Sequence, residues 1–136
     1  MTVIDASPLI AVLVPSDVHH GRCVAVLPSL TAPLVTTWPV LVEAMYVLGK
    51  YRKWRGQQAL WQMITSGTLQ LQTPDTATLP ARLERLMDTY QHVPMDMADA
   101  SLVALAEDMG IKRIFTCDKD FAQYRINGTE TFDIVP

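Results

Sequence analysis

Carboxylates stand at the places in this chain where chemistry could be done. Asp5 closes a strand-like run at residues 2–4, and Asp118 and Asp120 follow the apolar, β-branched run 113–116 (RIFT). Asp96 and Asp99, three apart, open the helical stretch that begins near Met95. Glu43 is the only charge in PVLVEAMYVL, residues 39–48, and a carboxylate on so apolar a helix is costly unless a partner or a cation compensates it. Close-set carboxylates repel one another and raise each other's pKa values. A hard divalent cation, Mg2+ or Mn2+, relieves that repulsion with oxygen ligands. The chemistry suited to Asp5, Glu43, Asp99 and Asp118 around such an ion is phosphodiester hydrolysis. The ion activates a water and stabilises the leaving oxygen, so no serine, histidine or lysine nucleophile is needed. Each acid also has a plainer reading: a turn or helix cap for Asp5 and Asp96, a buried arginine's partner for Glu43, a cap of the turn at Phe121 for Asp120.

These residues meet only if the elements between them carry them to one place. Residues 2–4 read as a strand, and Ser7 with Pro8 opens a helix that Pro15 ends. Ser16 and Asp17 suit the cap of a second helix to about residue 27. Residues 34–37 read as a strand, followed by a helix from Pro39 to about residue 51, a separation at Gly56 and a further helix over about 57–66. Residues 68–72 alternate as a one-face-exposed strand, and a helix covers about 79–91. Ala98, Leu102, Leu105, Ala106 and Met109 form one apolar helical stripe, with Gly110 placed to end it. A last strand runs over 131–135. Strand and helix alternate from end to end, which predicts one α/β domain over residues 1–136, with a parallel sheet and right-handed crossovers. Ligands bind such sheets at the carboxyl ends of the strands, where Asp5 and Asp118 emerge.

VIDAS at the N-terminus, the lone Glu43 on its helix, ADASLVALAEDMG and IFTCDKDF together resemble the PIN domain, and more closely the VapC-like toxins of toxin–antitoxin pairs. The resemblance covers nearly the whole chain. It implies a three-layer α/β/α fold with about five parallel strands. It implies that Asp5, Glu43, Asp99 and Asp118 hold Mg2+ or Mn2+ and that the protein cuts RNA. Ser7 and Thr116 match positions that orient the acids or the metal water, and Asp120 matches a supporting acid, whereas Asp96 has no firm place in the pattern. The resemblance also implies a homodimer and a neutralising antitoxin partner. Two other readings remain: a PIN nuclease for RNA processing or structured DNA, and a non-catalytic PIN-like module that binds a partner.

Composition narrows the classes. The 136 residues are 49% hydrophobic, which suits one globular domain, and no apolar run is long enough to span a bilayer. No basic leader is visible, and two cysteines without metal-ligand spacing suit a reduced cytoplasmic setting. The net charge of −3 argues against a nucleic-acid partner only until the six acids above are set aside; the remainder then carries a small basic excess. Lys50, Arg52, Lys53 and Arg55 lie in KYRKWR, a patch that either grips RNA or is a solvated helix end. Cys117, beside the acidic turn, reads as buried.

Overall fold

The computed structural model describes residues 1–136. Its core is a five-stranded, wholly parallel sheet in the order β3-β2-β1-β4-β5, with β1 (Thr2–Ile4), β2 (Leu34–Thr36), β3 (Leu69–Leu71), β4 (Arg113–Phe115) and β5 (Asp133–Val135). Every residue of β1 and β2 is buried, although successive side chains point to opposite faces. Both faces of the sheet centre are therefore covered, as the helices of a parallel sheet require. Those helices are α1 (Ala6–Leu13), α2 (His20–Val26), α3 (Trp38–Thr65), α4 (Leu79–Thr89) and α5 (Met97–Met109). Each strand has three residues, and the two edge strands β3 and β5 are no longer than the rest. Across the β4–β5 edge, Arg113 forms an ion pair with Asp133 at 2.8 Å.

The chain winds outward from β1 through β2 to β3, then returns to the other side of β1 for β4 and β5. The order therefore reverses between β1 and β4. At such a switch point the loops leaving neighbouring strands part and open a crevice at the carboxyl edge. Asp5 follows β1 directly, and Thr116 follows β4 directly.

The expected elements are all present, with three local differences. Ser7 does not cap α1; Asp5 does, accepting from the Ala6 N–H at 2.7 Å. The second helix starts at His20 rather than after Asp17, because the Asp17 carboxylate accepts from the His19 N–H and closes a turn there. The break in α3 falls at Lys53, three residues before Gly56, where the backbone takes φ 57 and ψ −150. Beyond that break the helix folds back: the Gln57 side-chain amide donates to the Met45 carbonyl at 3.1 Å, twelve residues upstream. In an unbroken helix those groups would be about 18 Å apart. Gly49 and Gly56 allow the close approach, since a Cβ at Gly56 would lie 2.5 Å from the Arg52 Cβ and one at Gly49 2.6 Å from the Gln57 Nε2. The KYRKWR patch is thus the outside of a helical bend. Arg52 Nη1 donates to the Leu13 carbonyl at the end of α1, and Lys50 Nζ sits 4.7 Å from the centre of the Tyr46 ring. No helix is long and apolar enough to cross a membrane.

Candidate functional site

At the switch point, carboxylate oxygens of Asp5, Asp99 and Asp118 lie within 4.8 Å of one another. They come from the end of β1, the first turn of α5 and the turn after β4. Each is held by a donor of its own. Asp5 accepts from Thr116 Oγ1 at 2.8 Å and from the Ala6 N–H. Thr116 Oγ1 in turn accepts from the Asp118 N–H at 3.0 Å, so one hydroxyl ties the two strand-end acids together. Asp118 accepts from the Asp120 N–H at 2.9 Å, which fixes the tight turn after β4. Asp99 accepts from Tyr124 Oη at 3.0 Å. Asp96 and Asp99 also exchange side-chain-to-backbone hydrogen bonds in a capping box, at 2.8 Å and 3.4 Å.

Of the expected residues, the structure brings three of the four principal acids to one point and leaves Glu43 outside that spacing. Glu43 is exposed and has no ion-pair partner. The apolar stretch around it has a second, exposed apolar face, formed by Trp38, Val42 and Tyr46, rather than a buried surround. Its carboxyl nevertheless feels the charge of the cluster. Partial burial raises its pKa, and the charges of Asp5, Asp96 and Asp118 raise it further. Asp96 sits exposed at the N-cap of α5, and Asp120 is half-buried beside Asp118. Ser7 Oγ accepts from the Cys117 N–H at 3.1 Å and so steadies the turn carrying Asp118. Cys117 is only half-buried; its Sγ lies 3.6 Å from that of the buried Cys23, whose thiol pKa burial pushes up to about 12. Sequence reasoning missed Tyr124. It is fully buried, edge-on to Phe121 and Tyr90, and belongs to no periodic run that would have marked it.

The electrostatics of the cluster are strained in one direction. Burial raises the Asp5 pKa, more than its hydrogen bonds from Thr116 and Ala6 lower it, and the charges of Asp118 and Asp96 add to the rise. Asp99 is pushed up to about 7 by burial first, then by Asp96 and Asp5. Asp120 is raised by desolvation and by Asp118. None of these acids forms an ion pair; the four ion pairs of the molecule involve Arg82, Lys112 and Arg113 instead. Converging carboxylates with no protein cation to offset them fit a divalent ion that takes oxygen ligands.

Over residues 2–127 the sequence matches the model of the PIN domain family. The chain belongs to that family. Its fold is shared with VapC20 of Mycobacterium tuberculosis, a toxin that cleaves the sarcin–ricin loop: TM-score 0.82 and 20% identity, over 90% of this chain and 94% of that one. FitAcB from Neisseria gonorrhoeae is more distant, with TM-score 0.56 and 16% identity over 87% of this PIN chain and 88% of its own. Comparison with curated protein sequences gives no match. The expected PIN-like architecture is therefore the one observed, and its acid cluster lies at the carboxyl edge of the sheet.

Proposed function

We propose that this PIN domain is a metal-dependent endoribonuclease that hydrolyses RNA phosphodiester bonds, acting as the toxin of a toxin–antitoxin pair. The observation that carries this reading is the meeting of Asp5, Asp99 and Asp118 within 4.8 Å from three distant parts of a PIN-family chain. Those three would hold Mg2+ or Mn2+, with Glu43, whose carboxyl feels the charge of Asp5 and Asp118, as a further ligand, directly or through water. The bound ion would supply an acidified water and charge neutralisation at the phosphate.

The rest is done by the chain. Thr116 aims Asp5 and sets its distance from Asp118, and Tyr124 and the capping box aim Asp99. Ser7 and Asp120 hold the turn behind Asp118. The buried setting keeps these carboxylates poorly hydrated, so a cation gains more there than at an exposed acidic patch.

The antitoxin and a second copy of the chain are the protein partners in this reading, in the cytoplasm. The exposed face of Trp38, Val42, Tyr46 and Met97, which borders the crevice, supports a protein contact there. The deciding experiment is cleavage of a broad set of RNAs by antitoxin-free protein with Mg2+ or Mn2+, with and without chelator, beside Asp5→Asn. Cleavage that needs the metal and the Asp5 carboxylate is expected. No metal-dependent cleavage by the wild-type protein would overturn the reading.

A further inference from the structure

A second concave site lies on the other side of Tyr124 from the acids. It is a cavity of about 380 Å³ between α4 and the segment that follows the turn after β4, with Glu107 of α5 in its lining. Arg82, Arg85 and Arg125 all line it. Arg82 is committed to structure: it pairs with Glu107 at 3.1 Å and Asp108 at 2.9 Å and donates to the Ala104 carbonyl. Glu107, the one acid in the lining, is satisfied by Arg82 and by the Asn127 N–H. Arg85 and Arg125 have no acidic partner. Arg85 is exposed on α4. Arg125 is half-buried, and its Nη1 is anchored on the Ala122 and Tyr124 carbonyls at 2.8 and 2.9 Å, which presets the guanidinium and leaves its other donors free.

Two arginines that form no ion pair meet in this one concavity, although Arg85 also borders Glu84 and Asp88 on its outer side. Guanidinium donors of fixed orientation match phosphate oxygens, and a concave setting strengthens the field they make. The cavity is also coupled to the acids. Tyr90 lines it, packs edge-on to Tyr124 at 5.1 Å and accepts from the Arg125 N–H, while Tyr124 donates to Asp99. Glu107 in its lining is eight residues beyond Asp99, about 12 Å along the helix. A strand with one phosphate at the acid cluster would have to cover a span of that order to place another in this cavity.

We propose that the cavity binds a phosphate group through Arg85 and Arg125, and that this phosphate belongs to the backbone of the RNA strand being cut. The identity of the strand rests on the nuclease reading above; the phosphate chemistry does not. The test is binding of a labelled RNA oligonucleotide by fluorescence anisotropy across a salt series in chelator, with inorganic phosphate and a mononucleotide titrated separately by calorimetry. The variants are Arg85→Glu, which removes a guanidinium that forms no ion pair or hydrogen bond within the protein, and Arg125→Gln. Arg85→Glu is expected to weaken RNA binding by about tenfold and to reduce the salt slope by about one unit. Unchanged affinity and slope in both variants would overturn the proposal. So would a wild-type protein that binds phosphate or the mononucleotide through these arginines but binds no RNA, since the cavity would then serve a free anion. A wild-type protein that binds none of the three would also overturn it. Cleavage enters none of these outcomes, so loss of the nuclease reading and loss of this site are read separately.

Discussion

Thr116 is a small residue with a large share in the site, because one hydroxyl serves both strand-end acids. Thr116→Val keeps the shape and removes the donor to Asp5 and the acceptor for the Asp118 N–H. Loss of a group that orients metal ligands should lower cleavage and metal affinity by roughly 10- to 100-fold. Parallel cleavage assays and Mn2+ titrations check this; wild-type values for both would show that the hydroxyl is idle. Asp99 sets a pH dependence of known sign. Its folded-state pKa is raised to about 7 from 3.8, so the folded protein holds a proton that the unfolded chain releases. Stability of the metal-free protein should therefore fall as pH rises between about 4 and 7, and Asp5 and Glu43 act in the same direction. Thermal melts in chelator test it, with Asp99→Asn expected to flatten the slope.

At the scale of the elements, the bend in α3 makes the sharpest demands. Lys53 holds a backbone conformation that suits glycine, so Lys53→Gly should stabilise by about 1 kcal/mol in urea unfolding. Gly56→Ala should destabilise by about 1–3 kcal/mol, because the new methyl meets the Arg52 Cβ, which cannot move without its helix. Gly49→Ala should do less harm, since the atom in its way is the end of a flexible glutamine. Equal losses at the two glycines would contradict the described packing. The same bend shows what was legible in the sequence. The Gly110 stop and the start of α4 were visible as local signals, because glycine geometry and apolar periodicity act over a few residues. The fold-back at Lys53 was not, since long-range packing forces a lysine into a conformation that its own preferences oppose. Asp5 as the cap of α1 was one of its two readings, and it proves to cap the helix while also joining the acid cluster, whereas Ser7, the other local signal, holds the turn after β4.

For the whole molecule, the acid cluster exists only once β1, α5 and β4 have been assembled, and the unfolded chain scatters its members. A ligand that binds the folded form alone raises stability by mass action. Millimolar Mn2+ should raise Tm, and a chelator should remove the gain. Asp118→Asn should melt higher than wild type without metal, through relief of repulsion, and respond little to the ion. Identical metal responses in both proteins would place the ion elsewhere. Asp5 and Asp118 meet because strand ends in a parallel sheet share an edge, a rule that sequence order alone can apply, and Asp99 joins them from the start of the helix that leads into β4. The support from Tyr124 and the arginine cavity came from non-local packing, which leaves no spacing to read.

The rims of the sheet limit the ways in which copies of this chain could pair. Its outer strands offer only three residues each, one beside an Arg113–Asp133 pair and followed at once by a proline that has no amide hydrogen to give. Rims so short and interrupted make poor templates for strand addition and open-ended fibril growth. Any association between copies would then fall to the helical faces, where it can close on itself and stop.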